Sequence, residues 1–175
     1  KAQVILNATK SPKPPVMRGF PIADDEFDTR PMFHEEVLKL YDERSDMQGR
    51  YRIIKEMQGS GPDCVKGKFI YPAHDDFAPP RKSSYQYSPY LLEALMQASM
   101  FFTGMRDENE KRTLIPQRIG EIVFTRQCRP GETITIEGPL RRMDEQGIRW
   151  EARGLDAQGM PLMWLRKMDL RWFSA

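Results

Sequence analysis

Cysteine and histidine are scarce in this sequence, two of each in 175 residues. Cys64 and Cys128 stand far apart, with no CxxC or Cys/His grouping. That spacing argues against a disulfide frame or a zinc site and predicts the reduced thiols of a cytoplasmic protein. No apolar run approaches the ~20 residues that span a bilayer and no signal peptide is visible, so neither membrane insertion nor secretion is expected. Asn7-Ala8-Thr9 is a formal glycosylation triplet, and without a secretory route it reads as chance. Charge of one sign is nowhere concentrated. The 27 basic and 25 acidic residues are mixed along the chain for a net +2, which gives no footprint for nucleic acid or a membrane surface. No repeat of solenoid period is visible. An initiator Met is also missing: the chain begins at Lys1, which predicts a trimmed chain or a piece cut from a longer polypeptide.

What is present is enough apolar residue, 39% of the chain, for one compact domain with a real core. Val4-Ile5-Leu6 reads as a strand or its remnant, and the proline-rich SPKPPVMRGFP after it as a linker. Pro31 then opens MFHEEVLKLYDE, where Phe33, Val37, Leu38 and Tyr41 recur at helical spacing with acids early in the segment, predicting a short amphipathic helix. YRIIKEM and, past the turn signal GSGPD, CVKGKFIYP read as strands. Residues 73–88 are rich in Pro, Ser and Tyr without a period and read as a long loop.

The stretch SPYLLEALMQASMFF, residues 88–102, is a helix so apolar that it must be covered on all sides. Beyond Gly104 the pattern becomes a run of strands. Ile148, Trp150 and Ala152 alternate with Arg149, Glu151 and Arg153, and Met168, Leu170 and Trp172 alternate with Lys167, Asp169 and Arg171. Arg129-Pro130-Gly131, Asp144-Glu145-Gln146-Gly147 and Asp156-Ala157-Gln158-Gly159 are turn signals, so the connections are hairpins and the sheet is antiparallel. One long apolar helix followed by consecutive antiparallel strands predicts an α+β architecture in which a curved sheet wraps the helix at about residues 89–103, with Trp150, Leu170 and Trp172 facing inward. This is the hotdog arrangement. On that buried rod Glu93 and Gln97 lie four residues apart on one face.

The string Pro89-Tyr90-Leu91-Leu92-Glu93-Ala94-Leu95-Met96-Gln97-Ala98 resembles the hotdog-helix motif of 3-hydroxyacyl-[acyl-carrier-protein] dehydratases. In polyketide and polyunsaturated-fatty-acid synthases the second hotdog carries a pattern like HPxLLDAxxQ. Here Ser88 stands for the His and Glu93 for the Asp, and discrete fatty-acid dehydratases use Glu in an EAxxQ setting as this chain does. LYDERSDMQGRYRII resembles the family's segment built around GPxF, with Gly49 kept, the Pro lost and Tyr51 in the aromatic place. IPQRIGEIVFTRQCRPGETITI resembles the strand pair after the helix. The resemblance covers about residues 33–173. It implies that residues 1–30 are the end of a preceding hotdog plus a linker, and that 31–175 are a dehydratase-like hotdog, the C-terminal half of a double hotdog.

The resemblance also implies the chemistry. Loss of water from a 3-hydroxyacyl thioester needs a base for the α-proton and an acid for the departing hydroxide, and burial makes a carboxyl harder to ionise and so fit to hold a proton. Glu93 then serves as the acid, with Gln97 one turn later holding the carboxyl or the β-hydroxyl. The family's base is a histidine in HxxxGxxxxP, a motif absent here. His34 reads as a surface or boundary residue of the amphipathic helix, and His74, in YPAHDDF, as the candidate base on this chain. The simpler account leaves the histidine on a second hotdog, upstream in the polypeptide or in a homodimer mate. No cofactor of the domain's own is implied, since the substrate arrives on the phosphopantetheine of an acyl carrier protein, and neither nucleic acid nor membrane is a partner. Arg81-Lys82 and Arg141-Arg142 read as solvated, or as contacts for the acidic carrier. Two other classes stay open, a hotdog acyl-thioesterase and a non-catalytic hotdog that binds acyl chains or shapes a complex. Outside the resemblance, a lone acid on a buried helix reads first as a structural group bonded to loop backbone.

Overall fold

The structure, a computed structural model, describes residues 8–10, 19–45, 47–72, 88–106 and 112–173. Seven strands form one sheet: β1 (Ala8–Lys10), β2 (Glu56–Ser60), β3 (Cys64–Ile70), β4 (Thr113–Phe124), β5 (Thr133–Asp144), β6 (Gly147–Leu155) and β7 (Pro161–Phe173). Their spatial order is β1-β4-β7-β6-β5-β3-β2. Every neighbouring pair is antiparallel except β1, which runs parallel to β4 with Ala8, Thr9 and Lys10 opposite Ile122, Val123 and Phe124. The turns sit where the sequence placed them; the one at Arg129–Gly131 is closed by Glu132, whose N–H bonds the Arg129 carbonyl and whose carboxylate accepts the Arg129 N–H, and the other two by an aspartate on backbone N–H groups two to four residues ahead. Asp144 Oδ1 accepts from Gln146 (3.0 Å) and Gly147 (3.2 Å), and Asp156 Oδ1 accepts from Gln158 (3.0 Å) and Met160 (2.8 Å).

Among the described residues two α-helices accompany the sheet, α1 (His34–Arg44) and α2 (Pro89–Arg106). Glu35 and Glu36 occupy the first turn of α1, and the Glu36 carboxylate accepts the Phe33 N–H at 3.1 Å. The helix stops at Ser45, whose N–H and Oγ both bond the Tyr41 carbonyl at 3.0 Å. Its buried residues are Val37, Leu40 and Tyr41, so the expected stripe through Phe33 and Leu38 is corrected. Phe33 precedes the first helical turn and is 61% exposed, while Leu38 lies one residue, about 100°, round from Val37 and is half-buried.

The segment YRIIKEM departs further from expectation. Residues Gly49–Tyr51 form a 3-10 turn, and the strand begins only at Glu56. Ile53 and Ile54 are both buried, which a half-buried strand's alternation does not allow, and the Ile54 N–H goes to the Tyr41 hydroxyl (3.0 Å) instead of a ladder carbonyl. Upstream, residues 28–32 run beside β2: Asp28 and Thr29 donate to the Ser60 carbonyl (3.0 and 3.2 Å), and Met32 exchanges both backbone bonds with Met57.

α2 lies across the concave face, and Tyr90, Leu91, Ala94, Leu95, Ala98, Phe101 and Phe102 are buried there, each leucine and phenylalanine contributing about 1.5–3 kcal/mol on removal from water. It touches β2 through β7 and α1. The sheet was expected to wrap a single central helix, and it does. Glycine makes the approach close: a Cβ on Gly154 would stand 2.5 Å from Leu91, and one on Gly138 would stand 2.1 Å from the Trp150 ring. Trp150 in turn meets Phe102 at 5.5 Å between ring centroids. Trp150 and Leu170 are in the core as expected, with Trp172 packed half-buried at its margin. Both cysteines are free and buried, and among the described residues no helix is long and apolar enough to cross a membrane.

Candidate active site

The start of α2 is fastened from two sides. The Ser88 carbonyl accepts the Leu92 N–H (3.2 Å), and its buried hydroxyl accepts the Cys128 N–H (2.7 Å), tying the helix to the connection between β4 and β5. Ser88 stands where the resembling motif has His, and its oxygen is occupied by backbone. From this anchor the helix carries Glu93 and Gln97, one turn apart, toward α1 and the turn at Gly49–Tyr51.

Gln97 is 2% exposed and fully engaged. Its Nε2 donates to Glu93 Oε1 at 2.9 Å and to the Tyr51 carbonyl at 2.7 Å, and its Oε1 accepts from the Tyr41 hydroxyl in a short bond. The Tyr41 oxygen itself accepts the Ile54 N–H at 3.0 Å. Burial pushes the Tyr41 phenol far above its ordinary value of 10.0; the nearby Glu93 charge adds to this, and the backbone N–H groups of Ile54 and Ile53 and the Arg52 charge oppose it. The hydroxyl therefore keeps its proton and remains a donor. Tyr41 is held by packing as well, edge-on to Phe101 with centroids 5.0 Å apart.

Glu93 is half-buried, not enclosed as the apolar helix led one to expect: the fully buried place goes to Gln97, and the carboxyl stands at the accessible end of the chain Ile54–Tyr41–Gln97–Glu93. Among the described residues no ion pair reaches it. A half-buried carboxyl held by one amide donor, with no hydrogen bond to its other oxygen among the described residues, has a place for an exchangeable proton.

The other expected residues are not brought to this point. His34 opens α1 as an exposed residue. His74, the tyrosine-rich loop and Arg81-Lys82 lie outside the described residues. Arg141 pairs with Glu151 (2.7 Å) and Arg142 with Asp144 (3.1 Å). Sequence reasoning missed Tyr41 as a site residue, because it fits the apolar stripe of α1 and its partner lies 56 positions on. The Tyr51 contribution is a backbone carbonyl, which no side-chain pattern marks.

With this geometry in hand, comparison with known families gives one match, over residues 33–175, to the polyketide synthase dehydratase N-terminal domain. The chain belongs to that family. Similar solved structures include the dehydratase domain from the CurJ module of the curacin polyketide synthase, 14% identical with a TM-score of 0.66, matching 86% of this chain and 51% of that one. A trans-AT polyketide synthase dehydratase domain from Brevibacillus brevis is 12% identical with a TM-score of 0.68, over 94% and 55%. The E. coli PaaI protein of the phenylacetic acid degradation operon is 14% identical with a TM-score of 0.50, over 70% and 79%. At these identities the likeness is one of fold, and it is the hotdog fold. This dehydratase-family domain spans about half the length of the polyketide synthase dehydratases it matches. No curated protein matches. The family's description speaks of an N-terminal domain, whereas the Glu93–Gln97 helix resembles a second hotdog, and that position belongs to the reading below.

Proposed function

We propose that this chain is the acid-bearing, C-terminal hotdog of a dehydratase that converts 3-hydroxyacyl chains on an acyl carrier protein to enoyl thioesters in polyketide or fatty-acid synthesis. The observation that carries the reading is Glu93, a half-buried carboxyl fixed by a buried amide one turn along the wrapped helix, in a chain of the dehydratase family. In the step, a base removes the α-proton and the C–H electrons form the new C=C. The C–O bond breaks, and the departing hydroxide takes the proton of Glu93 to leave as water. The carboxylate recovers its proton as the base loses the one it took. The base is a histidine of a second hotdog, since neither His34 nor His74 stands in an HxxxGxxxxP motif. The domain uses no cofactor of its own, the phosphopantetheine belonging to the carrier, and works in the cytoplasm.

The test joins the chain to its upstream hotdog and measures dehydration of a model 3-hydroxyacyl thioester. The joined protein is expected to be active, the chain alone to have little or no activity, and Glu93→Gln to cost about 10²–10⁴-fold in the joined form with the fold intact. Thioester hydrolysis in place of dehydration would overturn the reading in favour of a thioesterase. Full activity of the chain alone, lost on His74→Ala, would replace the half-site with a self-sufficient homodimer.

A further inference from the structure

The hydrogen bonds around Gln97 run in one direction only. A backbone N–H can only donate and a backbone carbonyl can only accept, so Ile54 N–H and Tyr51 C=O fix the two ends of the network. Because the Tyr41 oxygen receives Ile54 N–H, its own proton points to an acceptor, Gln97 Oε1. The amide oxygen is thereby committed to Tyr41, and the amide NH2 must face the Tyr51 carbonyl and Glu93 Oε1. The Gln97 bonds other than the one to Glu93 are set by α1 and by the 49–54 segment, and Gln97 presents Glu93 with a donor, never an acceptor.

A protonated carboxyl has one carbonyl oxygen, the better acceptor, and one hydroxyl. A fixed donor on Oε1 selects the tautomer in which Oε1 is the carbonyl. Among the described residues no hydrogen bond reaches Oε2 of this half-buried carboxyl. We propose that Tyr41 is a positioning residue that, through Gln97, confines the transferable proton of Glu93 to Oε2. The inference rests on the acid role proposed above for Glu93. Removing the Tyr41 hydroxyl leaves only the Tyr51 carbonyl to hold the amide, so a larger fraction of molecules turns it over, placing its carbonyl against the carboxyl and drawing the acid proton to Oε1, away from the departing hydroxide. The proton inventory of the reaction is unchanged; the fraction of molecules carrying the proton on the productive oxygen falls.

Two readouts test this. In the chain as it stands, NMR of the glutamine side chains is expected to show a Gln97 amide whose protons exchange slowly with water, and a Tyr41 hydroxyl proton persistent enough to give a cross-peak to the Ile54 N–H. A Gln97 amide exchanging as fast as a solvated glutamine overturns the proposal without any variant having to fold. In the protein joined to its upstream hotdog, Tyr41→Phe keeps the ring on Phe101 and is expected to lower kcat about tenfold at nearly constant KM, the worth of one buried hydrogen bond. In a Gln97→Met background, adding Tyr41→Phe is expected to change kcat by less than about twofold, because the effect passes through Gln97. Equal losses in both backgrounds, or a loss in KM alone, make Tyr41 merely structural and overturn the proposal. If the joined parent protein dehydrates nothing, the dehydratase reading fails and takes the proton assignment with it, while the NMR result still decides whether Tyr41 orients the amide.

Discussion

The two faces of the sheet treat polar groups in opposite ways. On the concave face, around α2, polar side chains are few and most have fixed partners: Tyr41 and Gln97 bond one another and backbone, and Ser99 bonds the Met96 carbonyl at 2.7 Å, whereas the buried Trp150 Nε1 has none among the described residues. On the convex face, cross-strand ion pairs are numerous and partly exposed: Arg149 to Asp169, Arg141 to Glu151 and Arg166 to Glu121, each at 2.7 Å. A buried polar group without its partner keeps the full cost of leaving water, so the inner network is specific; an exposed pair regains water when broken, so the outer lattice is tolerant. One cluster joins the two regimes. Glu137 projects from the convex face yet is 2% exposed, bonded to Arg153 at 2.8 Å with Lys66 3.9 Å away, and the Arg153 guanidinium lies 4.4 Å from the Phe20 ring centroid. The segment that includes Phe20 turns part of an outer face into an interior.

The contrast is broken most severely from the inside. Trp150 is fully buried against Phe102 and directly over Gly138, so Trp150→Ala empties the layer between α2 and β5 and is expected to cost about 3–5 kcal/mol, read from the urea midpoint at unchanged slope. A loss near that of a surface substitution would mean that α2 is not clasped as described. The convex interior comes next: Arg153→Met leaves Glu137 enclosed with only Lys66 in range among the described residues, and a loss of about 1–3 kcal/mol is expected by the same measurement. A negligible loss would show that the cover over Glu137 opens to water.

The sequence showed these regimes unevenly. The β5–β7 meander was legible because one face is wet and one dry, which prints a period of two, and because Asp144 and Asp156 close turns by local bonds. The helix at 89–106 was legible from its lack of a polar face. The YRIIKEM segment was not, since its course is set by the Tyr41 hydroxyl thirteen residues upstream of Ile54, and strand propensity cannot register such a bond. The parallel pairing of β1 was also hidden, because Ala8–Lys10 carries no apolar alternation of its own. At the site, Glu93 and Gln97 were visible as polar residues out of place in an apolar helix. Tyr41 was invisible for the converse reason: its ring fits the core and only its oxygen does the work.

A smaller effect separates charge held in the loops from charge on the open sheet. Arg126 bonds both Glu132 and Asp156, and this hydrogen bonding, assisted by the Arg129 backbone N–H, holds Glu132 below its ordinary 4.5 against the opposing effect of burial. A carboxyl with a depressed folded-state value stabilises the protein above its unfolded value and loses that contribution as pH falls through the folded one. Thermal stability is therefore expected to decline as pH drops from about 4.5 downward, and Glu132→Gln to flatten that decline while lowering stability at pH 7. An unchanged acid limb in the variant would move the pH sensitivity elsewhere.

The least effect is expected where the ion pairing looks most regular. Arg149 and Asp169 face one another across β6 and β7 with two bonds, at 2.7 and 3.2 Å, and the Arg149 guanidinium is held above its ordinary value by that partner. Geometry alone would rate this pair above the Glu137 cluster. Yet the Arg149 side chain is 43% exposed and that of Asp169 27%, so water and salt compete for both charges, and ordering two side chains opposes what attraction remains. Arg149→Ala and Asp169→Ala should each leave the melting temperature within experimental scatter, and raising the salt concentration should leave the difference between parent and variant unchanged. If either substitution destabilises the chain as much as Arg153→Met, another element covers this part of the convex face in solution, and the distinction drawn between the wet and enclosed portions of that face fails at β6 and β7.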